Sequence, residues 1–472
     1  MNLDRSRYVL ALPLLAAVVA VAALVFWRAR QGQDDLSERY PGADQPPGAE
    51  GAAAANPVLA GKLIQGNAQP GNLPGFWPQF RGPNRFGISA ETTPLARSWE
   101  VAGPRQLWAV DCGEGYAGPV VRDGRVYLLD YDSDKKENAL RCLSLADGGE
   151  IWRYAYPMPV KRNHGMTRTV PALADKFVVA MDPKCHVLCL DSATGELRWG
   201  LNLVTEFGAT VPPWYTGQCP LIDGNAVILA PGGHDALLAA VELGTGKTLW
   251  RAHNPREWKM THSSVMPMEF GGGRFYVYCG SGGVAGISAK DGTLLWDTTA
   301  WKISIATVPS PLVMDGGRIL LAGGYNAGCM LLQLQDQGGK LSPQIIWKLA
   351  PEEFGATQHT PLYHDGHLFG TRPDGQFVCL GLDGKVVWAS PAGEPFGLGP
   401  FLLADGLFFV MNDSGKLSLV EESPVRFNLL GQAQVLQGRE SWGPLALAGG
   451  RLLARDFTRL VCLDVSAASP RK

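Results

Sequence analysis

The sequence predicts an all-β protein: an eight-bladed β-propeller with four-stranded blades, the last blade closed by an N-terminal strand, preceded by one transmembrane helix and a disordered tether. Three observations carry this expectation. The 58 glycines and 34 prolines make up about a fifth of the 472 residues, which long helices do not tolerate and many short strands joined by turns require. A strand–turn–strand unit ending in tryptophan recurs about every 47 residues. A single uncharged run of 20 residues stands near the N-terminus, outside the repeat.

Residues 1–7 form a short flank. Residues 8–27 read YVLALPLLAAVVAVAALVFW, and at ~1.5 Å per residue they span the ~30 Å of a hydrocarbon core. Trp27, Arg28 and Arg30 end the run where an interfacial aromatic and cations are favoured. A cleavable leader has a shorter apolar core and small residues at its end, so 8–27 reads as an uncleaved signal anchor. Arg5 and Arg7 on one side balance Arg28 and Arg30 on the other, so charge does not set the sidedness. Residues 28–75, rich in Gly, Pro, Ala and Gln, bury too little apolar surface to offset their ordering entropy and read as a flexible linker. The propeller is expected over 76–466, and 467–472 is a tail.

Within the propeller the tryptophans 108, 152, 199, 250, 296, 347 and 388 close successive units. Upstream of most lies a second hairpin with Asp-Gly between apolar stretches, as at Asp123-Gly124, Asp365-Gly366 and Asp405-Gly406. Each unit therefore supplies four strands, one propeller blade. Eight units fit between 116 and 466, but the last has three strands. Its fourth is available at 105–111, RQLWAVD, which carries a Trp without a preceding hairpin; borrowing it removes an open sheet edge. A large ring at the end of each outer strand is a packing device between blades, so Trp108, Trp152, Trp199, Trp250, Trp296, Trp347 and Trp388 are assigned a structural role.

The unit seen as Ala193-Thr-Gly-Glu-Leu-Arg-Trp199 and Gly244-Thr-Gly-Lys-Thr-Leu-Trp250 resembles the PQQ-like repeat, found in quinoprotein dehydrogenases and in BamB-type scaffolds of outer-membrane protein assembly. The segment Phe76-Trp-Pro-Gln-Phe-Arg-Gly-Pro-Asn84 is similar to the opening of anchored bacterial propellers. The dehydrogenase resemblance implies a quinone over the channel, held with calcium beside a vicinal Cys-Cys disulfide and an Asp base. This chain has no Cys-Cys pair. The BamB resemblance implies a lipoprotein, whereas here an apolar helix stands in that place.

Other motifs have plain readings. Gly244-Thr-Gly-Lys-Thr248 lacks the first glycine of a phosphate loop, Val241 standing there, and reads as a blade hairpin. Asp130, Asp132 and Asp134 alternate as in a calcium loop, but Lys135 and Arg141 replace its Gly and Glu. Cys142, Cys189, Cys379 and Cys462 occupy one repeat position and read as small buried hydrophobes. Cys185 and Cys189 are ~13 Å apart along a strand, too far for one zinc, so no metal site is expected.

The connections that enter the innermost strands concentrate Arg, His, Gln, Trp and Tyr and converge on one face around the channel. Counting back from the prolines at 171, 220, 361 and 444 places Thr169, Gln218, His359 and Trp442 at the channel mouth, with His262 as the blade 4 counterpart and Arg168 one step further out. These six are the candidate ligand-binding residues; no catalytic residue is assigned, because the spacing supplies neither an acid–base pair nor an activated nucleophile. With 42 basic against 44 acidic residues there is no cationic excess for nucleic acid. The expectation is a non-catalytic binding or assembly scaffold for protein, peptide or a small polar ligand. It is anchored in the inner membrane with its propeller on the periplasmic side, has protein partners in the cell envelope and carries no cofactor. The alternative is a quinoprotein-like oxidoreductase using PQQ with calcium.

Overall fold

The structure, a computed structural model, describes residues 17–25, 56–100, 102–162, 164–393 and 395–467. The chain divides into two units, 1–43 and 44–472. In the first, residues 17–25 are helical with every side chain exposed, and the rest of the expected span 8–27 lies outside the described residues. Among the described residues no helix is long and apolar enough to cross a membrane.

The second unit is a propeller of eight antiparallel sheets. Blade 1 runs from Val120–Arg122 at the axis to Glu150–Pro157 at the rim, and blades 2 to 7 repeat the pattern as far as Leu429–Gln434. Blade 8 holds Ala446–Ala448, Arg451–Arg455 and Arg459–Asp464, and its outermost strand is Arg105–Asp111. The expected closure is therefore present: Arg105 faces Asp464 and Asp111 faces Arg459 across the antiparallel pair. The first hairpins turn as Asp-Gly predicts, with both central residues at positive φ: 50° and 68° at Asp123-Gly124, 44° and 77° at Asp365-Gly366.

The outer-strand tryptophans show what the repeat encodes. The indole N–H of Trp108 donates to Leu145 O of blade 1 at 3.0 Å, that of Trp199 to Leu243 O of blade 3 at 2.8 Å, and that of Trp388 to Ser423 O of blade 7 at 2.9 Å. Each ring thus reaches from its own blade to the next. The turn glycine of the receiving blade lies under the ring: a Cβ at Gly195 would meet Trp152 at 2.7 Å, and one at Gly246 would meet Trp199 at 2.8 Å. Those glycines also sit at φ 78° and 71°, so conformation and space both demand a residue without a side chain.

The expected linker 28–75 is corrected at its C-terminal end. Residues 56–75 are structured: Pro57–Ala60 is a short 3-10 turn, and Lys62–Gln65 is a fifth strand on the rim of blade 1, pairing with Trp152 to Ala155. Val58 is fully buried and accepts a hydrogen bond from Tyr154 Oη at 2.8 Å. Composition alone missed this, because the segment is held by backbone pairing and by two aliphatic side chains, Val58 and Leu63, in the core.

Residues 75–89 then cross the central channel and touch every blade in turn. Gly75 lies against Ala448 of blade 8, Trp77 pairs with Val121 of blade 1, and Pro78 O accepts from Leu173 N of blade 2 at 2.8 Å. Arg85 donates to Cys219 O and Pro220 O of blade 3 at 3.3 and 3.0 Å. Phe86 packs in the apolar clusters of blades 4 to 6. Arg81 donates to Thr360 O and Pro361 O of blade 6, and Leu403 N of blade 7 donates to Gly87 O at 2.9 Å. The segment is a hub, and its two arginines are spokes. Burial lowers Arg81 to about 9 and Arg85 to about 10, so both remain cations at neutral pH.

Candidate functional site

At the channel mouth the structure gathers an aromatic cluster around Tyr116, a residue the sequence reading did not single out. Its ring centroid lies 5.4 Å from that of Trp442 and 5.5 Å from that of Phe457, and the Arg168 guanidinium carbon stands 6.0 Å from it. Tyr116 Oη donates to Glu440, while Trp442 Nε1 donates to Asp413 Oδ1 at 2.6 Å. Burial, and then the Glu440 carboxylate, push the Tyr116 phenol well above its ordinary value, so it stays protonated. Burial lowers Arg168 to about 10, leaving it a cation. A cation over an aromatic face in a partly desolvated place is an attractive arrangement in itself.

His262 belongs to the same neighbourhood. Its Nε2 lies 3.0 Å from Tyr215 O, and its ring fills the space that a Cβ at Gly217 would need. Burial, with the Arg168 charge second, lowers it to about 4. His359 lies against the hub instead: it lines a cavity of about 20 Å³ together with Trp77, Phe80, Arg81 and Thr360. Burial, with Arg81 second, lowers it to about 3. Both imidazoles are neutral at neutral pH.

Thr169 and Gln218 are placed differently from the expectation. Thr169 is buried and donates through Oγ1 to Met181 O at 2.5 Å. Gln218 is fully buried, its Nε2 donating to Ala230 O and its Oε1 accepting from Ala230 N at 3.1 Å. Both clamp the innermost strand of their own blade to the next strand. The physical reason is that the backbone entering an inner strand is buried, so its neighbours need polar partners from side chains. Thr261 does the same in blade 4, donating to Cys279 O at 2.6 Å. A polar residue that recurs in step with the repeat belongs to the repeat, and that was the available signal.

The six expected residues therefore divide: Arg168, Trp442 and His262 come together around Tyr116, His359 joins the hub, and Thr169 and Gln218 are blade clamps. The cluster offers one cation, three aromatic rings and two carboxylates, Glu440 and Asp413, that already accept from Tyr116 and Trp442. That chemistry suits holding a surface or a polar group.

A quinone with calcium, implied by the dehydrogenase resemblance, does not fit these residues. Among the described residues no three His, Cys, Asp or Glu side chains are placed to hold a metal ion. The cavity of about 20 Å³ at His359 is far below the ~300 Å³ at which small-molecule pockets begin. All nine cysteines are free thiols, eight of them buried. Asp130 accepts from Arg141 at 2.8 Å and from Gly113 N at 2.7 Å, and Asp132 holds Lys135, so the alternating acids are a salt-bridged turn.

Fold and hub together define an eight-bladed PQQ-type propeller whose channel is crossed by its own N-terminal segment. The family model described as outer membrane protein assembly factor BamB matches residues 136–390, more than half of the chain, and the chain belongs to that family. Among solved structures it is similar to BamB from Moraxella catarrhalis, with 13% identity, coverage of 76% of this chain and 99% of that one, and a TM-score of 0.53. It is also similar to the quinohemoprotein alcohol dehydrogenase ADHIIG from Pseudomonas putida HK5, with 13% identity, 85% and 82% coverage, and a TM-score of 0.58. At such identities these likenesses show the fold alone. A curated relative, the serine/threonine-protein kinase AfsK of Streptomyces griseus, is 28% identical over 190 residues, which is 39% of this chain and 21% of the kinase. The chain thus spans about a fifth of that relative's length.

Proposed function

We propose that this protein is a non-catalytic binding scaffold, tethered to the inner membrane through residues 8–27 with its propeller outside the cytoplasm, and that its partners are proteins or peptides of the cell envelope. The observation that carries the reading is the hub: residues 75–89 occupy the axis where a propeller enzyme would need room for substrate and cofactor. Membership of the BamB family supports the same reading. The mouth contributes Trp442 and Tyr116, residue types enriched in binding hot spots, beside the Arg168 cation.

Crosslinking in native membranes, followed by capture of the full chain, tests the proposal. Recovery of a defined envelope protein is expected, and its yield should fall when Trp442 is replaced by Ala. A visible absorbance band that develops on incubation with quinone and calcium, together with alcohol-dependent dye reduction, would establish the oxidoreductase reading in its place. For sidedness, a C-terminal phosphatase fusion should be active; an inactive fusion beside an active cytoplasmic reporter reverses the topology.

A further inference from the structure

On the side of the first hairpins, away from the mouth, the hub leaves one sector of the channel open. Trp77 and Pro78 lie against blades 1 and 2, Arg85 reaches blade 3, Gly87 bonds to blade 7 and Arg81 holds the entry to the inner strand of blade 6 at Thr360 and Pro361, while Phe86 is the hub residue that packs against blades 4 and 5. A cleft of about 300 Å³ opens there. Phe86 forms one wall, and the innermost strands Met266–Phe270 and Leu312–Met314, with Tyr363 of blade 6, form the others. Its volume is the size of a small-ligand or side-chain pocket, more than ten times that of the cavity beside His359.

The lining has a definite chemistry. Pro267, Met268, Met314 and Phe86 make it apolar, and the two thioethers are polarizable and adaptable, as in surfaces that accept varied apolar side chains. The polar members are two carboxylates, Glu269 and Asp315, and the Tyr363 phenol. Glu269 shares Arg274 with Asp223, the guanidinium standing 2.7 Å from Glu269 and 2.9 Å from Asp223. The hairpins around the cleft carry Asp223, Glu269, Asp315 and Asp365 against Arg274 and Arg318, with His364 and His367 beside them. Four carboxylates against two guanidiniums give these hairpins an acidic excess.

An apolar hollow with carboxylates at its rim is complementary to an apolar side chain flanked by a cation. We propose that this cleft is a second binding site, for a basic peptide segment of a protein partner: one leucine-like side chain enters over Phe86 between Met268 and Met314, and a neighbouring lysine or arginine pairs with Glu269 and Asp315. This deepens the scaffold reading by giving one partner a surface and a chemistry. It does not require the mouth cluster.

The probe is the peptide acetyl-Leu-Lys-Bpa-Arg-amide, in which Bpa is a benzophenone-bearing phenylalanine, compared with its acidic counterpart acetyl-Leu-Glu-Bpa-Glu-amide, both titrated against the full chain at low salt. The basic peptide should bind at least tenfold tighter. Irradiation should attach it to Met268 or Met314, because benzophenone inserts readily beside thioethers. The double variant Glu269→Gln/Asp315→Asn, both positions being solvent-exposed, should keep the thermal transition and lose at least fivefold in affinity. Equal binding of the two peptides, unchanged affinity of the double variant, or attachment at Tyr116 or Trp442 would each overturn the site. Attachment at the mouth would still leave the scaffold proposal standing.

Discussion

Arg85 shows how much of this molecule depends on single buried side chains. It is 1% exposed and serves two carbonyls of blade 3 as well as Gln79 Oε1. Arg85→Ala strands those acceptors and is expected to cost about 2–4 kcal/mol in urea unfolding, at ~1–3 kcal/mol per unsatisfied buried group. Arg85→Lys should recover less than half, because an ammonium does not reproduce the fork that spans two adjacent carbonyls. The two histidines predict a pH dependence. Their folded values, about 4 for His262 and about 3 for His359, lie below the ordinary 6.5, so the unfolded chain takes up the proton first. The stability they contribute is complete above pH ~6.5 and is lost as pH falls through the window down to about 4 and about 3, at up to ~1.4 kcal/mol per pH unit for each. Unfolding midpoints at pH 7.5, 6 and 5 should fall accordingly, and His262→Gln/His359→Gln should flatten the slope over that range. The residue scale was the least legible in sequence. Arg81 and Arg85 lie in a segment with no periodicity and act on backbone carbonyls, which leave no trace in side-chain pattern. The clamp role of Thr169 and Gln218 was not legible, because a buried clamp and a ligand donor call for the same residue types.

At the level of the blade, the glycine beneath the tryptophans at 108, 152, 199, 250 and 347 is the point where conformation and packing meet. Gly195 and Gly366 have nearly equal φ, 78° and 77°, but a Cβ at 195 meets the Trp152 ring while one at 366 meets open space. Gly366→Ala should therefore cost about 1 kcal/mol of backbone strain alone. Gly195→Ala adds overpacking against the indole and should cost roughly 2–4 kcal/mol. Thermal unfolding of the two variants side by side separates the terms. This scale was well written in the sequence: Asp-Gly turns, the spacing of tryptophans and a three-stranded last unit were enough to place eight blades and the closing strand 105–111. The fifth strand Lys62–Gln65 was not, since four residues without alternation or flanking turns carry no strand signal of their own.

For the whole molecule, the N-terminal region is three devices in series: a rim strand at 62–65, a hub at 75–89 and a closing strand at 105–111. Removal of residues 1–55 should leave the thermal transition of the propeller unchanged. Removal of 1–67 should lower it while the ring stays closed, because only the rim of blade 1 loses its partner and Val58 its core place. Removal of 1–112 takes away hub and closure together and should yield no cooperative transition, with soluble aggregates by size exclusion. A monomeric, cooperatively melting 113–472 fragment would refute the role assigned to the N-terminal region.

Closure also sets a clock on the birth of the protein. Arg105 and Asp464 pair across 359 positions of chain. At roughly 5–20 residues per second, the strand around Trp108 leaves the ribosome roughly 20–70 s before its partner exists. During that interval seven blades fold behind it while it remains a strand without a sheet, Trp108 uncovered. A message broken anywhere before the codons for 459–464 yields a ring that never shuts, its loose end exposed to proteases. The architecture therefore reports on its own completeness: only a chain translated to the last blade covers the strand around Trp108.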